Sequence, residues 1–432
     1  METACYQFPD WISPTVVEYY KEQGIKKLFK WQVDLLEQEH EKKNNLVFSA
    51  PTSAGKSIVA EILAWKVASN GKKVLFVLPY ISVAREKLHQ IQKCWRRVDI
   101  PVSAFIGPQA TNPNLWLGAV CTIEKAASLI NRAFAEDWFE DIGMIVIDEL
   151  HMIFDSSRGS NIEYIMSKIK YWNSISSNPI RIIGMSATIP ELERIGNWLN
   201  ARVVVANFRP VELSNHIIIK NELKRIRNGK IDEQVIECFE KEDPVFILAE
   251  RSFRQNCQTL IMCSSKLDTE KTAIGVAKLL RELKKVEPNL MKILENRVDG
   301  LIFTRNGLER NGCKDKDILS ALAYGIAYHH AGLTLEEREC IEQAFREKSV
   351  IILVATSTLA SGVNLPAERV IIRAQGKGPS AITTMSYKQM IGRAGRMGLA
   401  TKGTSSHFVR LTALPIAFPT HRLIASTLIF TA

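Results

Sequence analysis

A tandem pair of α/β domains, each built on a mainly parallel sheet, is predicted by three observations. Short apolar runs rich in β-branched residues alternate with longer amphipathic stretches. That rhythm stops once, near Asn207-Phe208-Arg209-Pro210, and then restarts. At 432 residues the chain is also too long for one ordinary core. Continuous apolar strands need cover on both faces, and crossover helices supply it to a parallel sheet.

In the first series Leu46-Val47-Phe48, residues 74–78, 144–147 and Ile182-Ile183 read as buried strands. Residues 58–68 and 83–95 carry apolar side chains three or four apart and read as helices between them. After a polar stretch at 220–242, residues 260–263, 323–328, 350–355 and 370–373 form a second series of strands, with a helix at 335–347. The boundaries that follow are an N-terminal segment 1–24, a first domain 25–207, a connector 208–213, a second domain 214–412 and an apolar tail 413–432. The basic run Lys224-Arg225-Ile226-Arg227 reads as a solvated loop, with nucleic-acid contact as the alternative.

A hydrophobic share of 46% and a charged share of 24% exclude a disordered chain. Lys and Arg outnumber Asp and Glu by 56 to 46, for a net charge of +10. That surplus suits a polyanionic partner, though a solvated surface explains it equally well. The cysteines, at 5, 94, 121, 238, 257, 263, 313 and 340, include no CxxC pair, so neither a zinc site nor a disulfide framework is expected. No signal peptide is visible, and no apolar run approaches the roughly 20 residues of a membrane helix. A soluble chain in a reducing, intracellular compartment is the expectation.

The strongest local signal is Ala50-Pro51-Thr52-Ser53-Ala54-Gly55-Lys56-Ser57, which follows a strand and opens a helix. Small residues let backbone N–H groups face phosphates, and the helix N-terminus adds positive partial charge. Lys56 is placed to reach the β- and γ-phosphates of ATP, and Ser57 to ligate Mg²⁺. Asp148-Glu149-Leu150-His151 follows the apolar run 144–147. A carboxylate there suits Mg²⁺, which points to Asp148, and leaves Glu149 to orient and deprotonate water. His329-His330 has no Cys or acidic neighbour spaced to complete a metal site.

The phosphate loop, the DELH tetrapeptide and the motifs downstream resemble the superfamily 2 helicases of the Ski2-like group. Within that group the resemblance is closest to the helicase domain of DNA polymerase theta and its helicase-only relatives, and it runs from about Pro14 to Gly398. It implies two tandem RecA-like domains, ATP and Mg²⁺ as cofactors, and single-stranded or partly unwound DNA as partner, with RNA possible.

The resemblance also assigns roles along the chain. Gln32, in Phe29-Lys30-Trp31-Gln32, would contact the adenine edge. Pro79 in Pro79-Tyr80-Ile81-Ser82, and Thr122 and Glu124 in Thr122-Ile123-Glu124-Lys125, would grip the nucleic-acid backbone, as would Thr356 and Ser357 of the second domain. Ser186 and Thr188, in Ser186-Ala187-Thr188, would couple hydrolysis to movement together with His151; a helix cap before Pro190 is the bland alternative. Gly362 allows close approach to the nucleotide. Gln389, Arg393 and Arg396, in Gln389-Met390-Ile391-Gly392-Arg393-Ala394-Gly395-Arg396, would face the γ-phosphate, the two arginines as fingers.

Members of the family continue with winged-helix and ratchet domains that have no counterpart in the residues beyond about Lys402, so a shortened form or a fragment is expected. Three functions stay open. One is a 3′-to-5′ DNA motor of nuclear repair, acting in double-strand break repair; another is a Ski2-like RNA helicase. The last is a nucleic-acid-binding module with ATPase but no unwinding.

Overall fold

The computed structural model describes residues 5–52, 54–107, 116–187, 189, 191–206, 208, 214–219, 221–227, 230–239, 243–356, 365, 367–373, 384–394 and 427–431. The chain divides into two compact units, Met1–Pro210 and Val211–Ala432.

A small antiparallel pair, β1 (Cys5–Tyr6) and β2 (Leu28–Phe29), begins the first unit. Its main sheet has seven parallel strands: β3 (Asn45–Ser49), β4 (Lys73–Leu78), β5 (Val102–Phe105), β6 (Gly118–Thr122), β7 (Ile142–Ile147), β8 (Arg181–Ser186) and β9 (Ala201–Val205). They lie in the order β5-β6-β4-β7-β8-β3-β9. Alternation along the strands explains why both faces are covered. Val74, Phe76 and Leu78 point into one cluster with α3 (Lys56–Ser69) and α4 (Ile81–Trp95). Leu75 and Val77 point into the opposite one with α5 (Ile123–Ala135), α6 (Gly159–Ile175) and α7 (Leu192–Leu199).

The end of α2 (Lys30–Glu39) is fastened to the same sheet by charge. The buried carboxylate of Glu39 accepts from Arg181 at 2.5 Å and from Arg202 at 2.6 Å. Burial lowers the pKa of Arg181, and the Glu39 carboxylate opposes that shift. Loss of either partner would strand a buried charge.

The second unit holds an eight-stranded sheet. One half is parallel: β13 (Thr259–Cys263), β14 (Ile326–His329), β15 (Ile352–Thr356) and β16 (Arg369–Arg373). Its other half is antiparallel: β10 (Ser214–Ile219), β11 (Glu222–Arg227), β12 (Lys230–Cys238) and β17 (Thr427–Thr431), in the order β12-β11-β10-β17-β16-β13-β15-β14. Thr427–Thr431 of the expected apolar tail is thus a sheet strand, between β10 and β16.

Two expectations are corrected here. Lys224-Arg225-Ile226-Arg227 is not a loop but most of β11. Leu223 faces inward, fully buried, and Lys224 pairs with Glu222 at 3.0 Å, so charged residues along the strand mask its pattern. Asn221, with φ 64°, supplies the left-handed turn that joins β10 to β11. The strand expected at 323–328 begins at Ile326 instead. Residues 323–325 close the helix Lys316–Leu322, because Gly325 at φ +69° takes the left-handed position after a helix end.

His216 on β10 stands across from Arg225 on β11 and is buried. Burial, then the Arg225 charge, lower its pKa from 6.5 to about 4. Between those values the unfolded chain binds a proton that the folded chain refuses. Stability is therefore whole above pH 6.5, falls as pH drops towards 4, and stops falling below it. Urea unfolding at pH 5 should show about 2 kcal/mol less stability than at pH 7 from this residue alone. His216→Leu should flatten that difference; an unchanged pH dependence in the variant would refute the assignment.

Candidate functional site

The carboxyl ends of β3, β7 and β8 gather the chemistry of the first unit. Ser49 is level with Ser186 across the β3–β8 pair, and Ile147 with Gly184 across β7–β8. The chain leaving β3 stays in register for one more residue, as Ala50 N–H donates to the Ser186 carbonyl at 3.2 Å. Asp148 N–H likewise donates to the Val77 carbonyl at 3.0 Å. Phosphate loop and acidic pair therefore emerge on the same edge of one sheet.

The loop closes with Gly55 at φ 79° and ψ 38°, a left-handed geometry that precedes the first turn of α3. A Cβ at Gly55 would lie 2.4 Å from Gln32 Nε2. That contact reveals what Gln32 does. Buried at the start of α2, it accepts from Phe29 N–H at 2.8 Å and donates to the Gly55 and Ala54 carbonyls at 2.9 and 3.4 Å. The side chain expected at the adenine edge thus also braces the phosphate loop. Trp31 packs beside the core, with its ring 6.4 Å from that of Phe48.

Ala54 is fully buried, while Pro51, Thr52, Gly55, Lys56 and Ser57 are partly exposed. Lys56 Nζ donates to the carbonyls of Ala50 and Pro51 at 2.8 and 3.2 Å, which keeps the ammonium over the loop. Ser53 lies outside the described residues.

Asp148 Oδ1 accepts from Glu149 N–H at 2.8 Å. Burial, and then the neighbouring Glu149 charge, push the Asp148 carboxyl up to about 6 against the pull of Lys87 and Lys56. Lys87 is itself buried and paired with Glu61 at 2.5 Å, and Tyr20 donates to the same carboxylate at 2.9 Å. Asp148 and the Ser57 hydroxyl are hard oxygen donors, the kind that suits Mg²⁺.

Glu149 sits in the left-handed region, at φ 50°, a costly geometry for a residue with a side chain. Its carboxylate lies 3.2 Å from His151 Nδ1, and the same nitrogen is 3.0 Å from Ser186 Oγ. His151 is buried, on a 3₁₀ turn at Leu150–Phe154. Two of the residues expected to couple hydrolysis to movement thus share a hydrogen bond; Thr188 lies outside the described residues.

The expected grip residues occupy neighbouring turns. Thr122 caps α5, its Oγ1 accepting from Lys125 N–H at 3.4 Å. Glu124 is half-exposed and lies 3.2 Å from Arg158 Nε, while the Pro79 carbonyl accepts from Arg158 Nη1 at 2.5 Å. Sequence reading missed Arg158. The signal available was the turn Asp155-Ser156-Ser157-Arg158-Gly159, with its Asp four residues before a helix-opening glycine.

In the second unit Thr356 ends β15 and is buried. Gln389 and Arg393 are half-buried at the end of the helix Thr384–Ile391 and just beyond it. The Arg393 carbonyl accepts from Ala367 N–H at 3.0 Å. Ser357, Gly362 and Arg396 lie outside the described residues. His329 and His330 do meet acids that spacing concealed, Glu342 and Glu270, each at 2.9 Å. Among the described residues no cluster of His, Cys, Asp or Glu could hold a metal ion, and no helix is long and apolar enough to cross a membrane.

Residues 30–195 match the DEAD/DEAH box helicase family and residues 276–398 the helicase conserved C-terminal domain. DNA polymerase theta of Caenorhabditis elegans is 62% identical over 405 residues, which cover 93% of this chain and 25% of that protein. Human Helicase POLQ-like is 34% identical, over 90% of this chain and 36% of its own length. ATP-dependent DNA helicase Hel308 of Methanococcus vannielii is 32% identical, over 90% and 52%. The chain thus spans between a quarter and about half of these curated relatives. Among solved structures, DUF1998 helicase MrfA bound to DNA shares the fold, with a TM-score of 0.64 at 17% identity over 92% of this chain and 51% of that one.

Gly55→Ala should weaken nucleotide binding at least about tenfold, because the left-handed backbone and the Gln32 brace are both disturbed. Titration calorimetry with a non-hydrolysable ATP analogue measures it. Affinity within about twofold of wild type would show that neither constraint shapes the loop.

Proposed function

The chain belongs to the DEAD/DEAH box helicases of the Ski2-like type, and from that premise we propose that it is an ATP-driven motor on DNA. In this reading it moves 3′ to 5′ along a single strand and serves double-strand break repair in the nucleus. The observation that carries the proposal is the convergence of Lys56, Asp148, Glu149 and the His151–Ser186 hydrogen bond at the carboxyl edge of one sheet.

Each residue then has one task. Backbone N–H groups of the loop and the start of α3 receive the phosphates, and Lys56 reaches the β- and γ-oxygens. Ser57 and Asp148 would hold Mg²⁺, which when bound neutralises charge on the phosphate oxygens. Glu149 orients a water and takes its proton as the water oxygen attacks the γ-phosphorus, while the bond from that phosphorus to the β–γ bridging oxygen breaks and ADP leaves with the electron pair. Arg393 and Arg396 stabilise the charge spread over the transferred group, and Gln389 positions the same oxygens. His151 touches both Glu149 and Ser186, so a shift at the carboxylate is felt at once in the motif assigned to movement.

The test is ATP hydrolysis by the purified chain, with and without single-stranded DNA or RNA of the same sequence. Stimulation by DNA above RNA is expected. Glu149→Gln should cut turnover about 10²- to 10⁴-fold while ATP still binds, and Lys56→Ala should lose both. A folded sample with no turnover sinks the enzyme; stronger stimulation by RNA reassigns the track.

A further inference from the structure

Arg158 belongs to no motif of the nucleotide site, yet it is held more tightly than a surface arginine needs to be. Asp155 Oδ1 accepts from the N–H groups of Ser157 and Arg158, each at 2.9 Å, and from the Ser157 hydroxyl at 2.6 Å. The next residue, Gly159, leaves no room for a side chain: a Cβ there would lie 2.2 Å from the Ile153 carbonyl oxygen. Turn and helix start are thereby pressed against the 3₁₀ turn that carries His151.

From that place the guanidinium reaches two other segments. Nη1 donates to the Pro79 carbonyl at 2.5 Å, Nε lies 3.2 Å from Glu124 Oε1, and the guanidinium carbon is 5.0 Å from the centre of the Tyr80 ring. Tyr80 is anchored again from the same side, its hydroxyl 4.0 Å from Met152 Sδ on the 3₁₀ turn. A half-exposed ion pair alone would contribute little. A planar fork that satisfies a carbonyl, a carboxylate and a ring together fixes three backbones in one geometry.

We propose that Arg158 is a positioning residue for nucleic-acid binding, locking the Pro79-Tyr80 turn and the first turn of α5 to the segment that follows Glu149. The inference rests on the DNA-motor reading given above. Glu124 fits it better than the backbone contact first expected. A bare carboxylate repels phosphate, whereas one paired with Arg158 is neutralised and holds the clamp in place.

Fluorescence anisotropy with labelled oligothymidine, and ATPase titrated with the same strand, test the idea in the full chain. Arg158→Ala should raise the Kd for DNA and the DNA concentration at half-maximal ATPase about tenfold. The KM for ATP should move less than about twofold. Arg158→Lys should recover only part of the loss, since one ammonium cannot span all three partners. Unchanged DNA affinity in Arg158→Ala overturns the inference. So does a parallel rise in Kd for DNA and KM for ATP, the mark of a merely structural role, or full recovery by lysine. A wild-type chain that binds no DNA overturns the motor reading and this inference with it, and does so before any substitution is compared.

Discussion

The register of four parallel strands sets the distances on which the nucleotide site depends. β4, β7, β8 and β3 run side by side without a break at their carboxyl ends, so that Val77, Ile147, Gly184 and Val47 stand in one row. The loop after β3, the acidic pair after β7 and the serine that ends β8 must then emerge within reach of one another. A slip of one residue would turn Leu46, Phe48, Val74 and Phe76 out of their cluster and into the opposite one. Burial on both faces forbids that slip, and the core thereby pins the chemistry.

That rigidity allows local strain at the edge. Glu149 in a left-handed geometry, Gly55 in another and an Asp148 carboxyl pushed up to about 6 are each unfavourable by themselves. They are tolerated because the strands behind them are fully buried, and because neighbouring groups share the load. Gln32 holds the loop carbonyls that Gly55 presents, Lys87 and Lys56 oppose the loss of charge on Asp148, and His151 meets the displaced Glu149 carboxylate.

How much of this the sequence disclosed follows from the same physics. Runs such as 74–78 and 144–147 were legible because strands buried on both faces are uniformly apolar, and the phosphate loop because its small residues stand between strand and helix. The β10–β12 ribbon was not, since Leu223 and Ile226 stand three apart among Lys224, Arg225 and Arg227 and show no period of two. The start of β14 was misplaced because Ala323 and Tyr324 are as apolar as a strand but close a helix. Motifs carried by spacing in the chain were legible; contacts made across it were hidden. Gln32 meets Gly55 from 23 positions away and Arg158 meets Pro79 from 79, separations that no local pattern encodes.

The hidden contacts are also the ones a motor needs. In the proposed motor, a nucleotide site alone would yield hydrolysis and no movement unless another part of the unit registered the state of the phosphate. His151 and Arg158 lie on consecutive pieces of one short path, the 3₁₀ turn Leu150–Phe154 and the Asp155 turn after it. At one end the path touches Glu149 and Ser186; at the other it holds Pro79, Tyr80 and Glu124. Gly159 keeps the second piece jammed against the first, so a displacement at His151 has little slack to be lost in. A packed element of this kind transmits a shift by moving as a body, whereas a flexible loop between the same endpoints would absorb it.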